Sequence, residues 1–186
     1  MVNIALVGCN GKMGKAVTSA VQSRNDCEIV FGADPFGTPA YDYPVFESLA
    51  VSDKKADVII DFSNPASLDD ILAYALEKKI PCVLCTTGYS PEQVEKIKKA
   101  SESVAVFYSG NMSLGINLLI ELSKEAAKIL GAADFDIEIV EKHHNQKIDA
   151  PSGTALMIAD GISDTLAEEP QYVYDPVSYT HLRAHE

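Results

Sequence analysis

Along the first 110 residues, short runs of apolar, often β-branched residues alternate with longer stretches whose apolar positions recur at helical spacing. The runs at 2–7, 28–33, 57–61, 81–85 and 104–108 predict five strands. They are nearly continuously apolar, as strands covered on both faces are, so they predict a parallel sheet. The stretches between them carry helix punctuation. Asn64 before Pro65 forms an N-cap and N1 pair, and Leu68, Ile71, Leu72, Ala75 and Leu76 follow on one face up to Lys78 and Lys79. Ser90-Pro91-Glu92-Gln93 repeats the start with a capping-box spacing, with Val94 and Ile97 as the apolar face. Strand and helix in alternation predict an α/β fold, a Rossmann-type doubly wound parallel sheet.

Beyond residue 110 the pattern changes. A longer helix is expected over 113–130, stopped by Gly131, and a strand over 135–140. A further helix opens at Pro151 or Ser152, with Ala155, Ile158, Ala159, Ile162 and Leu166 on one face. One strand and one helix cannot cover a sheet edge or close a core, so this region reads as an incomplete α+β domain. From 171 the pattern turns irregular, and 171–186 reads as a non-native tail.

Composition narrows the function. At 186 residues, 47% hydrophobic and 23% charged, the chain has the makeup of a soluble globular protein. A net charge of -12 argues against nucleic acid, which needs clustered Lys and Arg. No apolar run approaches a membrane span, and Met1 leads directly into a strand rather than a signal peptide, so a cytoplasmic protein is expected. Cys82-Val-Leu-Cys85 has C-x-x-C spacing, but residues three apart on a strand face opposite sides, so Cys9, Cys27, Cys82 and Cys85 read as reduced thiols.

Directly after the first strand comes Gly8-Cys9-Asn10-Gly11-Lys12-Met13-Gly14, opening a helix with Val17 and Val21 apolar. Glycines there permit a tight turn and let backbone N–H groups reach a pyrophosphate at the helix N-terminus. The second strand ends at Asp34, twenty residues after Gly14, where an acid accepts hydrogen bonds from the adenosine ribose. A carboxylate there repels a 2′-phosphate and so favours NADH over NADPH, although Lys12 partly compensates. Two more loops leave strand ends: Cys85-Thr86-Thr87-Gly88, and Ser109-Gly110-Asn111-Met112. Their small and polar residues let a nicotinamide and its ribose lie close to the backbone; ordinary turns ahead of capped helices have the same composition.

The segment 141–154, EKHHNQKIDAPSGT, packs two adjacent histidines, two lysines, two acids and a Pro-Ser-Gly-Thr turn into a stretch with very little apolar content. His143, His144 and Lys147, with the N–H groups of the helix start at Ser152-Gly153-Thr154, make an anion site within an acidic protein. The ligand expected is a carboxylate or phosphate. Beside a dinucleotide domain, that points to hydride transfer onto a small anion, with His or Lys supplying the accompanying proton. A solvated loop whose histidines pair with Glu141 or Asp149 is the plainer alternative. No metal is expected, because adjacent His143 and His144 on extended backbone point apart and no third ligand has suitable spacing.

Residues 141–155 closely resemble the signature of the 4-hydroxy-tetrahydrodipicolinate (dihydrodipicolinate) reductase family. Gly8 and the loop to Gly14, Asp61-Phe62-Ser63, Thr86-Thr87-Gly88 and Asn111-Met112-Ser113-Leu114-Gly115-Ile116-Asn117 fall in the family's order, so the resemblance runs from residue 2 to about 168. It implies His143 as acid/base, Lys147 as proton donor, and His144, Gly153 and Thr154 as binders of the substrate's carboxylates. The cofactor would lie against Gly8, Cys9, Asn10, Gly11, Lys12 and Met13, with Asp34 at the ribose. Cys85, Thr86, Thr87, Ser109, Gly110, Asn111 and Met112 would stand near the nicotinamide end. The family reduces a cyclic unsaturated dicarboxylate with NADH or NADPH and forms homotetramers through its C-terminal sheet. The expected organisation is a dinucleotide-binding domain at 1–112, a partial substrate and oligomerisation domain at 113–170, and the tail. Two departures stand out: Cys85 replaces a usual glycine, and the tail replaces the family's further strands. A dehydrogenase of another amino-acid intermediate, or a nucleotide-binding fragment without turnover, are the competing readings.

Overall fold

The structure is a computed structural model describing residues 1–37, 41–133, 135–143, 145, 150–168 and 170–174. The chain divides into two compact units, Met1–Gly110 and Asn111–Glu186. In the first, β1 (Val2–Val7), β2 (Cys27–Ala33), β3 (Val45–Phe46), β4 (Val58–Asp61), β5 (Cys82–Leu84) and β6 (Val106–Tyr108) form one sheet in the order β3-β2-β1-β4-β5-β6. All neighbours pair in parallel. Winding proceeds outward from β1 to β3, then reverses to run from β4 to β6. That reversal is the Rossmann arrangement, in which ligands bind outside the carboxyl ends of the strands.

The period-2 alternation of β1 divides the core. Ala5 and Val7 join a cluster with Ile71, Leu72 and Ala75 of α2 (Leu68–Lys78) and Ile97 and Ala100 of α3 (Pro91–Ser101). Ile4 and Leu6 join the opposite cluster, with Val17 and Val21 of α1 (Lys12–Gln22). Helix starts follow the sequence signals. Asn64 accepts from the Ala66 N–H and opens a 3-10 turn that leads into α2. Ser90 and Gln93 close the reciprocal capping box of α3.

One finding differs from the pattern-based expectation in this unit: β3 has no sequence signal, because two residues behind Pro44 are too short to produce periodicity, yet Gly32 N–H bonds the Pro44 carbonyl and Asp34 N–H that of Phe46. α2 ends at Lys78 with Lys79 as its C-cap, as the sequence predicts, and Lys79 stands in the left-handed region at φ 54°.

The second unit contains α4 (Leu114–Gly131), capped by Ser113, and α5 (Gly153–Ser163), capped by Ser152, which pack on one another. Gly131 is the last helical residue rather than the stop beyond it; a Cβ there would lie 3.2 Å from Leu166, so it serves a close approach. The expected strand over 135–140 is not formed: these residues have no regular secondary structure, and Phe135, Ile137, Ile139 and Val140 are exposed. Among the described residues this unit contains no other strand, so their backbone groups have no ladder to join. The tail from 175 onward, like His144 and Lys147, lies outside the described residues. Among the described residues no helix is long and apolar enough to cross a membrane.

Candidate functional site

Because every strand of the sheet is parallel, the loops after β1, β2, β4, β5 and β6 leave from one edge. The glycine loop is fixed there by close packing. Gly8 has φ +75°, and a Cβ on it would sit 2.5 Å from the Phe62 carbonyl oxygen after β4. A Cβ on Gly14, in the first turn of α1, would overlap the carbonyls of Gly8 and Cys9. Both positions therefore require glycine. Gly11, the N-cap of α1, provides no side-chain cap, unlike the serines that open α3, α4 and α5. The first amides of α1 are thus left for an anion, with Lys12 and Met13 exposed beside them.

Asp34 joins this loop to the one after β2. One carboxylate oxygen accepts from the Asn10 N–H at 2.9 Å and the other from the Phe36 N–H at 2.9 Å. Asn10 Nδ2 returns a bond to the Phe36 carbonyl at 2.6 Å. The Tyr41 hydroxyl, from a ring stacked on Tyr43, donates to the Cys9 carbonyl at 2.8 Å. A cavity of about 530 Å³ opens against these residues, lined by Gly8, Asn10, Gly11, Asp34, Phe62 and Ser63 among its walls. Positive φ, close backbone approach, an uncapped helix start and a carboxylate at the end of β2 together fit the adenosine diphosphate portion of a dinucleotide.

Further along the edge, Cys85 follows β5, Thr86 is buried, Thr87 is exposed and Gly88 has φ +80°. Thr86 Oγ1 is within electrostatic reach of the Tyr89 hydroxyl but completes no hydrogen bond of good geometry. Asp61, at the end of β4, is fully buried and accepts from the Ser63 N–H and hydroxyl and from the Tyr89 hydroxyl. Burial first, then the Asp61 carboxylate, push the Tyr89 hydroxyl well above its ordinary range, so it remains a donor. The same two causes push the Cys82 and Cys85 thiols up to about 11. Asp61, Ser63 and Tyr89 were not singled out as site residues from the sequence. The available signal was an acid ending the apolar run Val58-Ile59-Ile60. Ser109 N–H bonds the Leu84 carbonyl, and Gly110 is exposed.

In the second unit the structure brings Asn111 and Thr154 together: Asn111 Nδ2 donates to Thr154 Oγ1 at 3.0 Å. Asn111 Oδ1 also accepts from Ser113 N–H, while Met112 is exposed. Ser152 is buried and caps α5 by accepting from Ala155 N–H, which places Gly153 and Thr154 in the first helical turn. Glu141 reaches both sides of the polar segment, accepting from Ser152 N–H at 2.8 Å and lying 3.4 Å from His143 Nδ1.

The comparisons with known proteins agree with one another. The family pattern described as dihydrodipicolinate reductase, N-terminus, matches residues 2–112, and its C-terminal counterpart matches 115–186. A 4-hydroxy-tetrahydrodipicolinate reductase of Clostridium tetani is 52% identical over 94% of this chain and 68% of its own length. That of Caldanaerobacter subterraneus is 48% identical over 98% of this chain and 72% of its own. Among solved structures, dipicolinate-bound dihydrodipicolinate reductase from Paenisporosarcina sp. TG-14 matches with a TM-score of 0.70 at 29% identity, covering 94% of this chain and 70% of that one. A dehydrogenase from Chromobacterium violaceum, at 17% identity and a TM-score of 0.53, shares the fold over 68% of this chain and 41% of its own. With both halves of the pattern matched and relatives at this identity covered over two thirds of their length, the chain belongs to the dihydrodipicolinate reductase family.

Proposed function

We propose that the protein reduces 4-hydroxy-tetrahydrodipicolinate to tetrahydrodipicolinate with NADH or NADPH, in the biosynthesis of diaminopimelate and lysine. The match of both halves of the chain to a family named for this reaction carries the reading. Loss of the 4-hydroxyl as water leaves a conjugated ring, to which the cofactor, when bound, would supply a hydride.

This chain's residues then have separate tasks. The first-turn amides of α1 hold the pyrophosphate, and Asp34, whose two backbone bonds leave further lone pairs, accepts from the ribose hydroxyls. Its charge opposes a 2′-phosphate, which supports NADH as the preferred donor. Negative charge develops on the dicarboxylate ring as hydride arrives and must be met by cations and quenched by a proton. Lys147 is assigned the proton and His143 the acid/base role, with Glu141 holding the imidazole. His144 and the first turn of α5, at Gly153 and Thr154, take the carboxylates; the Ala155 amide of that turn donates to the Ser152 cap, and those of Gly153 and Thr154 have no acceptor within the helix. The family resemblance further supports a cytoplasmic homotetramer.

The test is oxidation of reduced cofactor in the presence of the product of dihydrodipicolinate synthase. Turnover with both cofactors, faster with NADH, and suppression by pyridine-2,6-dicarboxylate are expected. If neither cofactor is consumed, the reading fails; if turnover ignores pyridine-2,6-dicarboxylate, the substrate is a different one.

A further inference from the structure

A buried polar cluster beneath the ends of β4, β5 and β6 has no task in that reaction. Asp61 is 0% exposed, and a carboxylate so placed is costly unless its lone pairs are filled. They are filled from two directions. Oδ1 accepts from the Ser63 N–H at 3.0 Å and the Ser63 hydroxyl at 2.5 Å, and Oδ2 accepts from the Tyr89 hydroxyl at 3.1 Å. The Asp61 carbonyl also accepts from the Cys85 N–H at 2.9 Å. One residue is thereby fastened to the loop after its own strand and to the loop after β5.

Two further contacts extend the cluster. Gln93 Nε2, in the first turn of α3, donates to the Pro65 carbonyl at 2.6 Å, which ties the helix after β5 to the 3-10 turn after β4. The Tyr89 ring meets Tyr108 edge-on, with centroids 5.5 Å apart, and Tyr108 is the last residue of β6 before Ser109 and Gly110. An apolar side chain at 61 would fill the core without the desolvation cost, so the carboxylate serves the geometry of these loops better than it serves stability.

We propose that Asp61 and Tyr89 are positioning residues that hold the loops after β4, β5 and β6 at the spacing the nicotinamide half of the cofactor requires, a role resting on the dinucleotide reading above. The adenosine half depends on a different set of bonds, those of Asp34 with Asn10 and Phe36. Tyr89→Phe deletes one hydroxyl, leaving Ser63 on Asp61 and the glycine loop as they are. Asp61→Asn keeps the pattern in neutral form, since its amide offers an acceptor to Ser63 and a donor to the Tyr89 oxygen.

The test measures binding of NADH and of ADP-ribose, which lacks the nicotinamide, to the whole chain and to both variants. For Tyr89→Phe, NADH affinity is expected to fall about three- to tenfold, the value of one hydrogen bond, with ADP-ribose affinity unchanged and the fluorescence change of bound nicotinamide diminished. Asp61→Asn is expected to stay within about twofold of the parent for both ligands, because geometry and not charge is at stake. Unchanged NADH binding by Tyr89→Phe, an equal loss for both ligands, or an Asp61→Asn loss as large as that of Tyr89→Phe overturns the proposal. A parent chain that binds neither ligand instead overturns the dinucleotide reading, and the proposal with it.

Discussion

Gly8, in the first unit, and Gly153, in the second, show how differently two candidate-site glycines are constrained. At Gly8 the backbone is left-handed and a Cβ would meet the Phe62 carbonyl oxygen at 2.5 Å, a neighbour that cannot give way without moving β4. Gly8→Ala is expected to cost on the order of 3 kcal/mol in chemical denaturation and to abolish cofactor binding. At Gly153 a Cβ would meet nothing within 4 Å, and the position is helical. Gly153→Ala is expected to leave stability within about 0.5 kcal/mol, so a loss of activity there reports on the substrate rather than on folding. The sequence made the glycine loop and Asp34 legible because their spacing follows a strand and a helix start. It places Asp61 within the family's order but gives neither it nor Tyr89 a role, because the two lie 28 residues apart and meet only when β4 and β5 pair. His144 and Lys147 carry their roles from the family resemblance.

Elements were legible wherever local punctuation and a repeated apolar face coincided. Asn64-Pro65, Ser90-Pro91, Ser113 and Ser152 each open a helical segment where the sequence reading placed a start. What local pattern cannot supply is a partner. The alternation at 135–140 is that of a strand, yet a strand forms only against another, and the described part of its unit is two helices. β3 is the converse case, drawn into the sheet by β2 without any pattern of its own. The Ser152 hydroxyl caps α5, while its backbone N–H, which any residue there would keep, donates to Glu141. Ser152→Ala is expected to lower the unfolding free energy by about 1 kcal/mol, and thermal unfolding with helical ellipticity as the signal measures it.

For the whole molecule, the buried thiols set an alkaline limit. Burial holds Cys9, Cys82 and Cys85 protonated up to about 11 against a usual 9.0, with the Asp34 carboxylate adding to the effect at Cys9 and Asp61 at the other two. An unfolded chain releases these protons near 9.0 while the folded one keeps them, so their stabilisation is complete below pH 9 and is lost as pH rises towards about 11. The urea midpoint is expected to fall steadily across that interval; a constant midpoint would show that the thiols titrate as in an open chain. The parallel direction of all six strands has a consequence for redesign as well. Every group assigned to the cofactor in the first unit stands on one rim, and the exposed residues Asp53, Lys54 and Lys55 precede β4, at the opposite end of that strand from Phe62 and Ser63. An affinity tag, a fluorophore or an inserted domain placed there leaves the binding rim intact, because the sheet itself separates the part that can be rewritten from the part that cannot.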